Sequence, residues 1–177
     1  GGLFAIQTLW AGPWMIRVSG YTPLESAQGL FVIYLSMLIS FLCWGYFVPK
    51  FSKNINDAIR WLKVGAPINI IVLAIIIYLG PKAGSIHWAV FIVSSIFLSL
   101  AHPAVGMAFS LSNAGKALTS FNLLLFIGAF FMQWIMGLII DAGMSLNFSE
   151  INAFRLAMSF VLITSLFSYL FFIKKVK

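Results

Sequence analysis

Charged side chains are scarce in this sequence. Only 8% of its 177 residues are Asp, Glu, Lys or Arg, and just 4 of these are acidic. An ordinary soluble domain is about 25% charged and about 45–50% apolar, whereas this chain is 62% apolar. A water-soluble domain of this length has no core large enough to hold so many apolar side chains. The composition therefore excludes a soluble enzyme, a disordered tail and a nucleic-acid-binding module.

Residues that form disulfides or bind metals are equally rare. The single cysteine, Cys43, excludes an internal disulfide. The two histidines, His87 and His102, do not occur at the spacing of a known metal site. We therefore predict no metal site, no cofactor and no catalytic group.

Most of the sequence consists of long apolar runs. A helix needs about 20 apolar residues to cross the roughly 30 Å hydrocarbon core of a bilayer, and six runs come close to that length. Short connectors rich in Pro, Gly, Ser or Asn separate them, including residues 112–115. These features predict an all-α, polytopic membrane protein in which residues 1–177 form a single six-helix transmembrane bundle. The predicted spans are Leu3–Ser19, Ala27–Val48, Arg60–Leu79, His87–Leu111, Ala117–Ile140 and Asn152–Ile173.

Basic residues are concentrated on one side of this predicted bundle. That side has eight basic residues and one acidic residue, a net charge of +7, while three basic and three acidic residues cancel on the other side. Under the positive-inside rule the basic side is cytoplasmic. We therefore predict a multi-pass protein of the cell (inner) membrane, with both ends of this chain in the cytoplasm. Trp61 and Trp88 fall at predicted span ends, where tryptophan favours the interface.

Two segments resemble helices of the major facilitator superfamily of transporters. Leu9–Arg17, which reads Leu-Trp-Ala-Gly-Pro-Trp-Met-Ile-Arg, resembles the seventh helix of one bacterial branch. Gly115–Asn122, continuing into Gly128–Asp141, resembles the eleventh. The likeness covers essentially the whole chain, as spans seven to twelve. Since the chain also starts inside an apolar run without a leader, we interpret it as the C-terminal half of a twelve-span transporter whose other part is an N-terminal six-helix half. A cleavage or expression remnant is the alternative explanation of that start.

The connector after the second span departs from the family pattern, which reads Gly-x-x-x-Asp-Arg/Lys-x-Gly-Arg. At the same spacing this chain keeps Gly45 and the basic residues Lys50 and Lys53, but it has Pro49 in place of Asp and Ser52 in place of Gly. We interpret these positions as a remnant of the cytoplasmic motif. The acid that would pair with a neighbouring helix end is missing from it.

The resemblance implies two six-helix bundles around a central cavity, each an inverted pair of three-helix repeats. The first and fourth spans of this chain would line the cavity, the second and fifth would flank it, and the third and sixth would face lipid. The implied function is secondary active transport of a small solute by alternating access, as in a permease, symporter or antiporter. A proton or another ion would be the coupling species.

Polar residues inside the first span are candidates for the cavity, because burying an unpaired polar group in hydrocarbon is costly. Gln7, Trp10 and Trp14 share one helical face. In one interpretation Gln7 and Trp10 contact the solute and Trp14 seals the outer side. In the other, Gln7 bonds a neighbouring helix and the tryptophans pack.

The fourth span carries a polar stripe of Ser95, Ser99 and His102, and Pro103 interrupts the backbone hydrogen bonds of the helix beside the histidine. His102 is the only ionisable side chain well inside a predicted span. Because histidine exchanges protons near neutral pH, His102 is a candidate proton carrier. A neutral histidine hydrogen-bonded between helices is the alternative.

Other polar residues have weaker functional signals. Asn122 and Gln133 share a face of the fifth span and either touch substrate or join helices. We expect Asn69 to satisfy a kink in its own helix. Arg17 is a candidate gate or anion-attracting group, and Arg155 is expected to extend to the membrane interface.

Three other functions fit parts of the sequence. Ser99 and His102 lie one helical turn apart and could imitate a serine–histidine pair, but no glycine-rich serine loop or oxyanion site accompanies them. A channel would need rings of carboxylates or a carbonyl-lined filter. A non-transporting membrane scaffold or sensor with the same fold is the main alternative to a transporter.

Overall fold

Helices joined by short turns make up the computed structural model, which is described for residues 1–176. They are α1 (residues 2–17), α2 (Pro23–Phe51), α3 (Ile55–Leu79), α4 (Ser85–Met107), α5 (Leu111–Ser145) and α6 (Glu150–Lys175). This part of the chain contains no β-strand. The five helices α2 to α6 are long and apolar enough to cross a membrane, whereas α1 is shorter. The prediction of an all-helical chain is confirmed, and five of the six predicted spans coincide with helices of membrane-spanning length and composition.

Side chains just before the helices fix where they begin. The Thr22 hydroxyl accepts a hydrogen bond from the Glu25 N–H, and the Glu25 carboxylate accepts one from the Thr22 N–H at 2.8 Å. Pro23 occupies the first position of α2, where its missing N–H costs no helical bond. Asn54 and Ser149 cap α3 and α6 through their side-chain oxygens.

The turn between α4 and α5 lies earlier than predicted. α4 ends at Met107, and α5 begins at Leu111, so residues 112–115 form the first turn of α5 and not a connector. The chain reverses at 108–110, where the Ser110 carbonyl accepts the N–H groups of Asn113 and Ala114 at 2.8 Å. Small polar residues are well tolerated there, because the first turn of a helix leaves its N–H groups free.

Each helix packs on a defined set of neighbours. α1 lies against α2, α5 and α6; α3 lies against α4 and α6; α2 lies against α4; and α5 lies against α4 and α6. Trp88 lies in the core formed there, where its ring packs edge-to-face on Trp14 with centroids 6.2 Å apart. The sequence predicts an interface position for this residue instead. The largest core side chains, each at most 1% exposed, are Trp14, Met15, Leu73, Trp88, Phe91, Met136 and Met158.

The outward surface of α2 and α5 is strongly apolar. α2 buries only Ser26, Gly29 and Ile33, all before the middle of the helix. Large apolar side chains such as Leu42 and Leu124, each 68% exposed, lie on the remaining surface. Lipid or another apolar helix is the surrounding that such a surface requires.

The helices α1 and α4 are interrupted at matching positions. In α1 the backbone hydrogen bonds widen to π spacing over Ile6–Trp10, and in α4 they tighten to 3-10 spacing over Ser95–Leu100. Pro13 and Pro103 are the third residues after these segments. A proline donates no N–H, and its ring clashes with the carbonyl four residues earlier, which in both helices lies inside the irregular segment. The prolines therefore account for where each helix departs from α geometry.

Candidate functional site

The first polar contact joins the irregular segments of α1 and α4. The Ser95 hydroxyl lies 3.4 Å from Oε1 of Gln7 and 2.7 Å from the Ile92 carbonyl of its own helix. The contact with Gln7 is the longer and weaker of the two. Gln7 is only 5% exposed, and its amide makes no other side-chain hydrogen bond within residues 1–176. Its remaining hydrogen-bonding capacity is available to a third group.

A buried clamp from α3 holds α4 just before Ser95. Nδ2 of Asn69, which is fully buried, donates to the Phe91 carbonyl and to the Ser94 hydroxyl at 2.9 Å each. The Ser94 hydroxyl in turn donates to the Phe91 carbonyl at 2.8 Å. Asn69 therefore bonds across to α4. The expectation that it satisfies a kink in its own helix is wrong.

A glycine allows α3 to approach this part of α4. A Cβ at position 65 would overlap the Phe97 side chain. The Phe97 ring stacks on Trp61, with centroids 6.4 Å apart, and meets Trp44 edge-on at 5.0 Å. Residues of α2, α3 and α4 thus meet around one ring in the 3-10 segment and fix its position.

The second polar contact joins α4 and α5. Nε2 of His102 lies 3.0 Å from Oδ1 of Asn122, and this is a hydrogen bond when Nε2 carries the proton, because the amide oxygen only accepts. The Phe121 ring meets the imidazole edge-on, with centroids 5.0 Å apart. His102 is half-buried and Asn122 is exposed. The histidine is therefore bonded between helices, and the pair also stays open to the surroundings of the bundle.

The two contacts lie at different heights along α4. Ser95 and His102 lie seven residues apart, about 11 Å along the helix, with Ser99 between them. The Ser99 hydroxyl donates to the Ile96 carbonyl at 2.6 Å. This hydrogen bond stays within the helix of Ser99. A serine nucleophile activated by histidine would instead donate its hydrogen to His102.

The other predicted cavity residues belong mainly to the packing of the bundle. Trp14 is fully buried against Trp88. Trp10 is half-buried and meets Phe154 of α6 edge-on, with centroids 6.0 Å apart. Gln133 is half-buried on the inward stripe of α5. The structure brings Gln7 to Ser95 and His102 to Asn122. It packs the rings of Trp10 and Trp14 on Phe154 and Trp88, and both indole N–H groups are buried without a hydrogen-bond partner among residues 1–176.

Arg17, the predicted gate, is half of an ion pair. Its Nε lies 3.6 Å from Oε1 of Glu150 at the start of α6, and the two side chains are 62% and 40% exposed. Such an exposed pair contributes little to stability. It links the end of α1 to the start of α6 and partly neutralises the charge that a gate or an anion site would use.

The motif remnant lies at the end of α2. Lys50 Nζ lies 3.7 Å from the centre of the Tyr46 ring, and Gly45 has open space beside it. The backbone N–H of Lys53 donates to the Asp57 carboxylate at 3.1 Å. A carboxylate therefore does contact this connector, although it comes from the first turn of α3 and not from the motif.

Arg155 makes a contact that the sequence did not reveal. Instead of only extending to the interface, its guanidinium donates to the carbonyls of Ile77 at 2.9 Å and Tyr78 at 2.8 Å. A cation at this position satisfies free carbonyls at the end of α3 and complements the helix dipole. Gly80, with φ 54°, marks where α3 ends, but nothing local in the sequence pairs that end with α6.

The site offers neutral hydrogen-bonding groups rather than charges. Amide, hydroxyl and imidazole groups form both contacts, and residues 1–176 contain no cluster of three His, Cys, Asp or Glu side chains that could hold a metal. No family model, curated protein or solved structure matches the chain. The chemistry available on two interrupted helices is therefore the guide to function.

Proposed function

We propose that this chain is one six-helix bundle of a secondary active transporter of the major facilitator type, with its solute site at the interrupted segments of α1 and α4. The observation that carries the proposal is the matched pair of interruptions, Ile6–Trp10 and Ser95–Leu100, where the polar side chains of Gln7 and Ser95 lie 3.4 Å apart. Interrupted helices free backbone groups inside a membrane. In secondary transporters, interrupted helices at corresponding positions of two repeats form the binding site.

The packing of the helices supports two inverted repeats, α1 to α3 and α4 to α6. Exchanging α1 with α4, α2 with α5 and α3 with α6 turns the α1–α5 contact into the α4–α2 contact, and both exist. The same exchange relates α1–α2 to α4–α5, and α3–α4 to α6–α1, whereas the extensive α5–α6 contact has no α2–α3 contact of comparable extent. The interrupted helices are then the first helices of the two repeats, so their irregular segments occupy equivalent positions.

The chemistry of the site favours a small, uncharged polar solute. The predicted cavity groups that remain accessible or incompletely bonded are the Gln7, Asn122 and Gln133 amides, the His102 imidazole, and the buried indole N–H groups of Trp10 and Trp14. These groups donate and accept hydrogen bonds without bringing a fixed charge. In this proposal His102 is also the group of this bundle that exchanges a coupling proton.

The partner in this proposal is a second six-helix bundle, the N-terminal half of a twelve-span transporter. α2 has 29 residues and α5 has 35, or about 44 and 52 Å at 1.5 Å per residue, and both expose long apolar faces. Asn122 is followed on α5 by Leu123 and Leu124, which are 61% and 68% exposed. The open polar pair thus adjoins an apolar surface that a second bundle would cover. With the basic end in the cytoplasm, the protein would reside in the cell membrane.

Solute exchange by the full-length protein in liposomes tests the proposal. A panel of radiolabelled sugars, polyols and nucleosides would be offered in counterflow, and we expect one class to exchange. Gln7→Leu and Asn122→Leu should lower that exchange by tenfold or more, whereas Leu124→Ala, beside Asn122 but apolar, should not. Binding of a solute without any exchange would favour the scaffold or sensor alternative. If the folded protein neither binds nor exchanges any solute of the panel, the proposal is contradicted.

A further inference from the structure

An open groove of about 560 Å³ lies on the surface of the bundle between α3 and α6. Away from the helix ends it is lined by Ala74, Leu156 and Ser159, whose hydroxyl bonds its own helix, and near the helix ends by Tyr78, Phe148, Asn152 and Arg155. Its volume falls in the range of about 300–1,000 Å³ that is usual for ligand sites. None of its lining residues belongs to the polar contacts of α1, α4 and α5, so it is a separate surface.

Arg155 brings a positive charge to the polar end of the groove without an acidic partner. The one ion pair within residues 1–176 joins Arg17 to Glu150, and Glu150 lies about 140° around α6 from Arg155. The guanidinium uses Nε and one Nη2 hydrogen on the Ile77 and Tyr78 carbonyls, and its remaining donors are free among the described residues. A guanidinium held in this way, with donors to spare, suits a phosphate group.

Other groups at this end match the same ligand. Asn152 lies about one turn before Arg155 on the groove side of α6 and has an exposed side chain. The Tyr78 ring, 81% exposed, combines an apolar body with a hydroxyl, as is typical at membrane interfaces. Arg155 is five residues into α6, or about 7.5 Å along its axis. A helix that ends at the membrane surface carries such a residue at headgroup level.

We propose that this groove binds a phospholipid of the bilayer, with the lipid phosphate on Arg155 and Asn152 and an acyl chain along Ala74 and Leu156. The charge on Arg155 and the apolar lower wall together select a lipid, since free phosphate would leave that wall uncovered. Arg155 then has two roles: it caps α3, and it joins α3 to α6 through the lipid. This inference does not depend on the transport function.

Native mass spectrometry and thermal unfolding of the purified full-length protein in detergent test the proposal with three probes. They are palmitoyl-oleoyl-phosphatidylglycerol, palmitoyl-oleoyl-glycerol, which has the same chains without phosphate, and inorganic phosphate. We expect the phospholipid alone to be retained and to raise the unfolding temperature. Equal retention of the two lipids would overturn the role of Arg155 in binding the lipid phosphate. Stabilisation by inorganic phosphate alone would overturn the assignment of a lipid as the ligand.

Variants locate the bound lipid. Ala74→Phe fills the groove without touching Arg155, and we expect it to lower phospholipid retention at least fivefold. Its matched control is Ile75→Phe, at the neighbouring residue, which is 45% exposed and does not line the groove; retention should stay unchanged. Arg155→Gln should lower retention, and Arg155→Lys should restore part of it. Retention by Ala74→Phe equal to that of the unmodified protein would overturn the assignment even if the Arg155 variants fail to fold.

Discussion

Replacing Asn69 with leucine removes two hydrogen bonds from α3 to α4 while nearly conserving side-chain volume. Interhelical hydrogen bonds in membrane proteins contribute about 0.6 kcal/mol on average and up to about 1.7 kcal/mol. Against this loss, Oδ1 of Asn69 is buried without a partner, and an unsatisfied buried group costs about 1–3 kcal/mol. The two effects are of similar size and opposite sign. The free energy of unfolding of the single variant is therefore expected to change little, and it does not measure the clamp.

A double-mutant cycle of Asn69→Leu with Ser94→Ala does measure it. The cost of the unpartnered Oδ1 enters both arms of the cycle and cancels, which leaves the interaction between the two side chains. From the 2.9 Å contact between Nδ2 and the Ser94 hydroxyl, we expect a coupling free energy of about 0.6 kcal/mol, with a ceiling near 1.7 kcal/mol.

The assay is reversible unfolding in mixed detergent micelles, followed by tryptophan fluorescence. Ser36→Ala is the matched control, because the Ser36 hydroxyl bonds only the Val32 carbonyl of its own helix. Its coupling with Asn69→Leu should be zero within error. If the Asn69–Ser94 coupling is no larger than this control, the bond between these two side chains does not contribute to holding the segment that positions Ser95.

Three further predictions use the same unfolding assay. Trp14→Ala should destabilise the protein by about 3–5 kcal/mol, because the side chain is fully buried, whereas Trp134→Ala, at a 56% exposed position, should cost less than about 1 kcal/mol; equal losses would contradict the assigned core. Arg17→Gln should change stability by less than about 1 kcal/mol, since its ion pair is exposed, and a larger loss would show that the pair is structural. Tyr169→Phe removes the 2.9 Å hydrogen bond to the Lys63 carbonyl and should cost about 0.5–1.5 kcal/mol; no loss would mean that α6 and α3 are not joined there.

The existence and approximate position of the helices follow from the sequence, because the length of an apolar run is a local property. Features set by contacts between distant residues do not. Asn69 bonds a carbonyl 22 residues away, and Arg155 bonds one 78 residues away. Trp88 lies at the start of an apolar run, which predicts an interface position, yet the approach of α1 places it in the core.

The candidate site was predictable as a set of residues but not as a set of pairs. Periodicity placed Gln7 on α1 and Ser95 and His102 on one stripe of α4. Their partners across the bundle depend on how the helices pack, which no single helix determines. Pro103 signalled an irregular α4, whereas the π spacing before Pro13 was not expected, since a proline alone does not specify how the preceding turn adjusts.

Access of a single cysteine from the two sides of the membrane tests the central claim most directly. In a background where Cys43 and every cysteine of the N-terminal half are replaced by serine, Ser99→Cys places a thiol on the polar stripe of α4 between the two contacts, and a thiol reacts only where water allows it to ionise. If α1 and α4 line an alternating-access cavity, a membrane-impermeant thiol reagent will label this residue from either side, and a transported solute will shift labelling toward one of them. Ile163→Cys, on the exposed surface of α6, should stay unlabelled from both sides. Labelling of Ser99→Cys from neither side, or from one side only whatever the solute, would contradict the account.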